Sequence, residues 1–239
     1  MASFDRVIAI SKTVETYIYE NYERHLKKPP MLIYRGSDES YFSPNFDPKP
    51  GYIDDFYRKL PNLLNKKIVA FPGRLSSWKG QESFIKLISE LPDDFSGLIV
   101  GPYNNAKKKY FKRLNKLIES YNIKSSVFFY DAKDDIREIY YLSDLVMNLS
   151  TTPEPFGRTI LEGAMMNKKI IGWDRGGVGE VLDMFYPQGK VEFGNFKSLA
   201  ETVENLSISD ERPSNVFLTS ELMHSKTVSF YLDTLENKS

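Results

Sequence analysis

Between residues 67 and 206 the chain alternates six times between a short apolar run and a longer stretch whose apolar side chains recur at helical spacing. Strand-length runs separated by helical stretches are the pattern of a parallel sheet wrapped by crossover helices. The runs lie at 67–71, 97–100, 127–130, 145–149, 169–172 and 190–193, and the helical stretches at 81–90, 104–121, 134–142, 157–166, 179–185 and 195–206. Asp134 is placed to cap the third helix. The expected fold class is α/β, a doubly wound parallel sheet with helices on both faces. Ligands of such sheets bind in the crevice beyond the carboxyl ends of the strands.

Every chemically suggestive residue falls at one of those ends. Arg74 and Lys79 follow the first strand, Asp131 and Lys133 the third, Glu154 the fourth, and Gly176 and Gly177 the fifth. Pro155 holds Glu154 in an extended conformation, because its ring clashes with a helical residue before it. The next helix therefore starts near Phe156 or Gly157. Glu162 lies on that helix, roughly 7.5 Å along the axis from Gly157, so the two carboxylates can reach different parts of one extended ligand. The first backbone N–H groups, at Phe156, Gly157 and Arg158, lie between them at the positive end of the helix dipole and can hold an anion or a polarised hydroxyl. Glu162 can also pair with Arg158 across one helical turn. Gly176 and Gly177 before a helix suit either a tight turn or close approach of backbone to a phosphate or sugar.

Thr152-Pro-Glu-Pro-Phe-Gly-Arg-Thr-Ile-Leu-Glu162-Gly resembles the donor-binding signature of glycosyltransferase family 4, whose members are retaining enzymes of the two-domain GT-B type. The resemblance extends from Arg6-Val-Ile-Ala-Ile-Ser11 through Phe71-Pro-Gly-Arg-Leu-Ser-Ser-Trp-Lys-Gly80 to Gly176-Gly-Val-Gly-Glu180. It implies a Rossmann-like donor-binding domain, one half of a GT-B fold. Arg74 and Lys79 would grip the donor diphosphate, a guanidinium clasping two oxygens and an ammonium adding a point charge. Glu162 would accept from the ribose hydroxyls, and Glu154 would approach the transferred sugar. Asp131 and Lys133 fall in the base-binding loop, where Asp131 replaces the usual glycine. The sequence contains no Asp-x-Asp, so no metal or other cofactor is expected, and the substrate would be a nucleotide sugar, by default a UDP-sugar.

The resemblance also divides the chain. Residues 1–34 match the last strand, helix and crossover of the family's N-terminal acceptor domain, 35–206 the nucleotide-sugar-binding domain, and 207–239 the helix that returns to the first domain. Arg35 stands where asparagine is usual, and the proline-rich 44–51 is a linker. The acceptor, a glycan or a lipid-linked sugar, would bind a domain outside this sequence, so the chain alone would bind donor weakly and transfer almost nothing. A non-catalytic nucleotide-sugar-binding module and a sugar-nucleotide epimerase are the competing readings.

Composition narrows the partners. Lysine plus arginine equals aspartate plus glutamate, at 32 each, so no net field favours nucleic acid. There is no cysteine, and hence no disulfide or thiolate chemistry. The opening residues do not form a secretory signal, and no apolar run approaches the roughly 20 residues that span a bilayer. A cytoplasmic protein is expected. The lysine-rich helix over 104–121 leaves peripheral contact with the inner face of a membrane open, its apolar Phe111, Leu114, Leu117, Ile118 and Tyr121 forming the packed face. Over 219–235 the apolar Leu222, Met223, Val228, Tyr231 and Leu235 follow an amphipathic pattern, and apolar surface exposed on the end segments would allow self-association. The asparagine sequons at Asn148 and Asn205 are taken as accidental, the first lying in a strand.

Overall fold

A computed structural model describes residues 6–102, 108–131 and 136–236. Six parallel strands form the main sheet: β3 (Lys67–Pro72), β4 (Phe95–Val100), β5 (Val127–Tyr130), β6 (Leu145–Asn148), β7 (Lys169–Trp173) and β8 (Lys190–Val191), preceded by a two-stranded parallel pair, β1 (Ile8–Ala9) and β2 (Met31–Leu32). The helices are α1 (Lys12–Tyr22), α2 (Tyr52–Lys59), α3 (Gln81–Glu90), α4 (Lys108–Ser120), α5 (Ile136–Leu142), α6 (Arg158–Met165), α7 (Gly176–Phe185), α8 (Phe196–Ile208) and α9 (Ser220–Glu236). The spatial order is β5-β4-β3-β6-β7-β8. From β3 the chain winds outward through β4 to β5, then returns to β6 and winds the other way. That reversal opens a crevice between the carboxyl ends of β3 and β6.

The strands form because they are apolar on both faces. Along β3, Ile68 and Ala70 pack with Leu98, Val100, Phe56, Leu63 and Ile139, whereas the alternate residues Val69 and Phe71 pack with Phe84, Ile85 and Ile99. Period-two alternation thus builds two core layers, covered by helices on either side, and the sheet is the Rossmann-like α/β type. Fully burying each aliphatic or aromatic side chain contributes about 1.5–3 kcal/mol, so the sheet is a rigid platform for whatever its loops carry.

The six strand–helix repeats fall where sequence periodicity puts them, with shifted ends. The last strand stops at Val191, because Glu192 and Phe193 leave the ladder. Helix α7 starts at Gly176, three residues before the expected 179, so the two glycines form its first turn rather than a turn before it. Helix α2 had no sequence signal beyond a short pattern after the linker; it buries Phe56. Asp134 and Lys133 lie outside the described residues. On α4, Leu114 and Ile118 are buried and Lys112 and Lys116 are exposed, as the amphipathic pattern requires. On α9 the anticipated apolar residues Val228, Tyr231 and Leu235 are exposed, and Phe230 is the buried one. Among the described residues no helix is long and apolar enough to cross a membrane.

Candidate donor-binding site

Glu154 is the sixth residue of the nine-residue loop 149–157 that joins β6 to α6, and it is only 7% exposed. Three donors converge on one of its oxygens. Lys79 Nζ reaches Oε1 at 2.8 Å, Asn148 Nδ2 at 2.9 Å, and the Ser150 hydroxyl also donates to it. A buried carboxylate is tolerable only with such partners. All three fall on Oε1, and among the described residues no hydrogen bond is made to Oε2. Lys79, with three N–H bonds, can hold Glu154 and a further anion at once, and its ammonium also lies 4.4 Å from the Trp78 ring centroid.

The second carboxylate is held differently. Glu162 is 6% exposed; Tyr140 Oη donates to Oε2 at 2.9 Å and Arg158 Nε to Oε1 at 2.8 Å. Burial pushes the carboxyl above its ordinary value, against the lowering effect of those two hydrogen bonds. Tyr140 is itself fully buried, and burial followed by the neighbouring carboxylate raises its hydroxyl well above the usual range, so it stays a donor. The pairing with Arg158 that helical spacing allows is present, and it coexists with burial of the carboxylate.

Backbone geometry locks the two halves together. The Gly177 N–H donates to the Glu154 carbonyl at 2.8 Å, and a Cβ on Gly177 would lie 2.4 Å from Phe156 Cα. The loop bearing Glu154 therefore rests directly on the first turn of α7, and the glycine's role is close approach to this loop. Gly80, at φ +88°, has its Cα facing the Leu149 carbonyl, which a Cβ would meet at 2.0 Å. This contact draws the Lys79 loop against the end of β6. Among the described residues nothing accepts or competes for the backbone N–H groups of Phe156, Gly157 and Arg158, as a site for an anion or hydroxyl needs. Phe156 is buried beneath them.

Arg74 is exposed at the end of β3, its carbonyl accepting from the buried Gln81 Nε2 at 3.0 Å, while Tyr110 Oη donates to Gln81 Oε1 at 3.2 Å. Asp131 lines a cavity of about 330 Å³ with Leu75, Ile99, Gly101, Phe111, Phe129 and Tyr130. That largely apolar pocket lies at the ends of β4 and β5, on the Arg74 side of the crevice.

Sequence reasoning missed Asn148, Ser150, Tyr140 and Gln81. Asn148 carried a usable signal, a lone amide in an otherwise apolar buried run. Glu180, which the motif had associated with the glycines, points away to helix α1, where it accepts from the backbone N–H groups of Lys12 and Thr13 at 2.9 and 2.7 Å.

Residues 53–216 match the family model of glycosyl transferases group 1, well over half of the chain. The chain belongs to that family. An uncharacterized glycosyltransferase of Methanocaldococcus jannaschii is 30% identical over 183 residues, covering 74% of this chain and 43% of that protein. Spore coat protein SA of Bacillus subtilis is 28% identical over 191 residues, covering 75% and 50%. Among solved structures, a glycosyltransferase from Rickettsia africae superposes with a TM-score of 0.82 at 25% identity, over 98% of this chain and 64% of that one. The Anabaena protein HepE, in complex with UDP and glucose, gives 0.81 at 22% identity, over 96% and 63%. The group 1 chain described here thus spans half or less of the length of these curated relatives. Its fold is that of GT-B glycosyltransferase neighbours.

Proposed function

We propose that this chain is the nucleotide-sugar donor-binding half of a retaining hexosyltransferase of the family 4 kind, taking a UDP-sugar. The observation that carries the reading is the pair of buried carboxylates flanking the start of α6, one bonded to Lys79 and the other to Tyr140, at the switch point of the sheet. Neighbouring structures with UDP, UDP-glucose, or UDP and glucose bound support the choice of donor class.

In this reading the base enters the cavity beside Asp131, the ribose hydroxyls donate to Glu162, and the diphosphate lies against Arg74, Lys79 and the first amides of α6. The hexose reaches Glu154 Oε2. Charge accumulates on the β-phosphate as the bond from the anomeric carbon to its oxygen breaks, and the fixed cations stabilise it more in the transition state than in the ground state. An acceptor hydroxyl, presented by a part of the whole protein outside this sequence, attacks the anomeric carbon from the same face and passes its proton to the leaving phosphate. No protein nucleophile takes part.

Calorimetric titration of UDP, GDP and ADP into the chain and into an Arg74→Ala, Glu162→Ala double variant tests this. UDP binding that the double variant loses by more than tenfold is expected. A folded chain that binds none of the three, or binds UDP equally with and without the two side chains, overturns it.

A further inference from the structure

Helix α1 is joined to the donor-site loop by a chain of hydrogen bonds that the roles above do not use. Ser11, fully buried at the N-cap of α1, accepts from the Val14 N–H at 3.1 Å, and its hydroxyl donates to the Pro155 carbonyl at 2.6 Å. Pro155 adjoins Glu154, whose own carbonyl is held by Gly177. Glu180, one turn along α7 from Gly177, supplies the remaining cap: its carboxylate takes the Lys12 and Thr13 N–H groups, the Thr13 hydroxyl at 2.5 Å and the Tyr34 hydroxyl at 3.2 Å. The Tyr34 hydroxyl, pushed up to about 12 by burial and then by Glu180, remains protonated and donating. A carboxylate at a helix N-terminus is favoured by both the free N–H groups and the helix dipole, so this contact is built on complementary charge as well as on geometry.

We infer that Ser11 and Glu180 are positioning residues: together they fix the N-terminal segment, through α1, to the backbone that aims Glu154. The consequence follows from where the bonds end. Ser11 and Gly177 grip successive carbonyls, of Pro155 and Glu154, from opposite elements, so the orientation of this peptide depends on α1 being seated. Glu162, bonded to Tyr140 and Arg158, shares none of these partners. Unseating α1 therefore perturbs the carboxylate assigned to the sugar and spares the one assigned to the ribose.

The inference rests on the donor-site reading, and calorimetry on the whole chain separates the two. UDP and UDP-glucose are titrated into wild type, Ser11→Ala, Ser11→Thr and Glu180→Gln, with thermal melting of each. Ser11→Ala should lose about threefold to tenfold in affinity for UDP-glucose, the worth of one hydrogen bond, and stay within about twofold for UDP. Ser11→Thr should restore the loss. Glu180→Gln, which turns an N–H₂ group toward two donors, should show the same split. Equal losses for both ligands, or no loss for either, would overturn the positioning role while leaving the donor site standing. A wild-type chain that binds neither ligand would overturn both.

Discussion

Burial raises the Glu162 carboxyl above the ordinary glutamate value of about 4.3 because the low-dielectric surroundings disfavour its charge more than Tyr140 and Arg158 favour it. The folded chain then binds more protons than the unfolded chain at pH between the unfolded and folded values. Stability attributable to this group consequently falls as pH rises through that interval and stays reduced at neutrality. Glu162→Gln is expected to melt higher than wild type at pH 7, with the gap closing toward pH 4, while losing UDP binding; a variant that melts lower at pH 7 would contradict this assignment of the burial cost. Such a trade of stability for function is usual where a charge is kept in a binding site. The two glutamates themselves were legible in the sequence, since Pro155 sets where the helix begins and the motif around them resembles a donor-binding signature. Their partners were not. Tyr140, Asn148 and Ser150 acquire their roles only when β6, α5 and α6 come together, and nothing local in the chain distinguishes them beyond the odd amide in a buried strand.

At the scale of elements, the site depends on two loops pressed against backbone. Gly177→Ala would put a Cβ 2.4 Å from Phe156 Cα, where only main-chain movement can relieve it. Overpacking of this kind costs about 1–3 kcal/mol, and the shift would be felt first at Glu154. Denaturant unfolding should show that loss together with weakened UDP-glucose binding; an unchanged midpoint would mean that α7 and the loop are not in contact. The alternation of strands and helices was readable because period two and period 3.6 differ over even short stretches. Their ends were less so. The start of α7 falls at Gly176, whose left-handed φ of +58° turns the chain from the extended Arg175 into the helix, a conformation that favours glycine. Helix α2 follows a proline-rich stretch and spans eight residues, too few for its amphipathic period to stand out.

For the whole molecule, the ends of the chain matter in different ways. The N-terminal segment is tied down by Glu180, and the Arg6 guanidinium lies 4.4 Å from the centroid of the Phe230 ring on α9. Phe230 is 4% exposed, whereas Leu235 is 66% exposed. Phe230→Ala should therefore destabilise the chain by about 3–5 kcal/mol and Leu235→Lys by no more than about 0.5 kcal/mol, as read by chemical denaturation; equal effects would mean that α9 packs through another face. Sequence periodicity on this helix identified apolar residues but not which of them face the fold, because a helix with apolar residues on two sides has no single preferred face.

The central claim is that one UDP-sugar spans the crevice from the Asp131 cavity to Glu154. A crystal structure of the chain with UDP bound tests it most directly. The account predicts ribose hydroxyls within hydrogen-bonding distance of Glu162 and the diphosphate between Arg74, Lys79 and the amides of Phe156 to Arg158. UDP bound elsewhere, or in the crevice with its ribose away from Glu162, would contradict it.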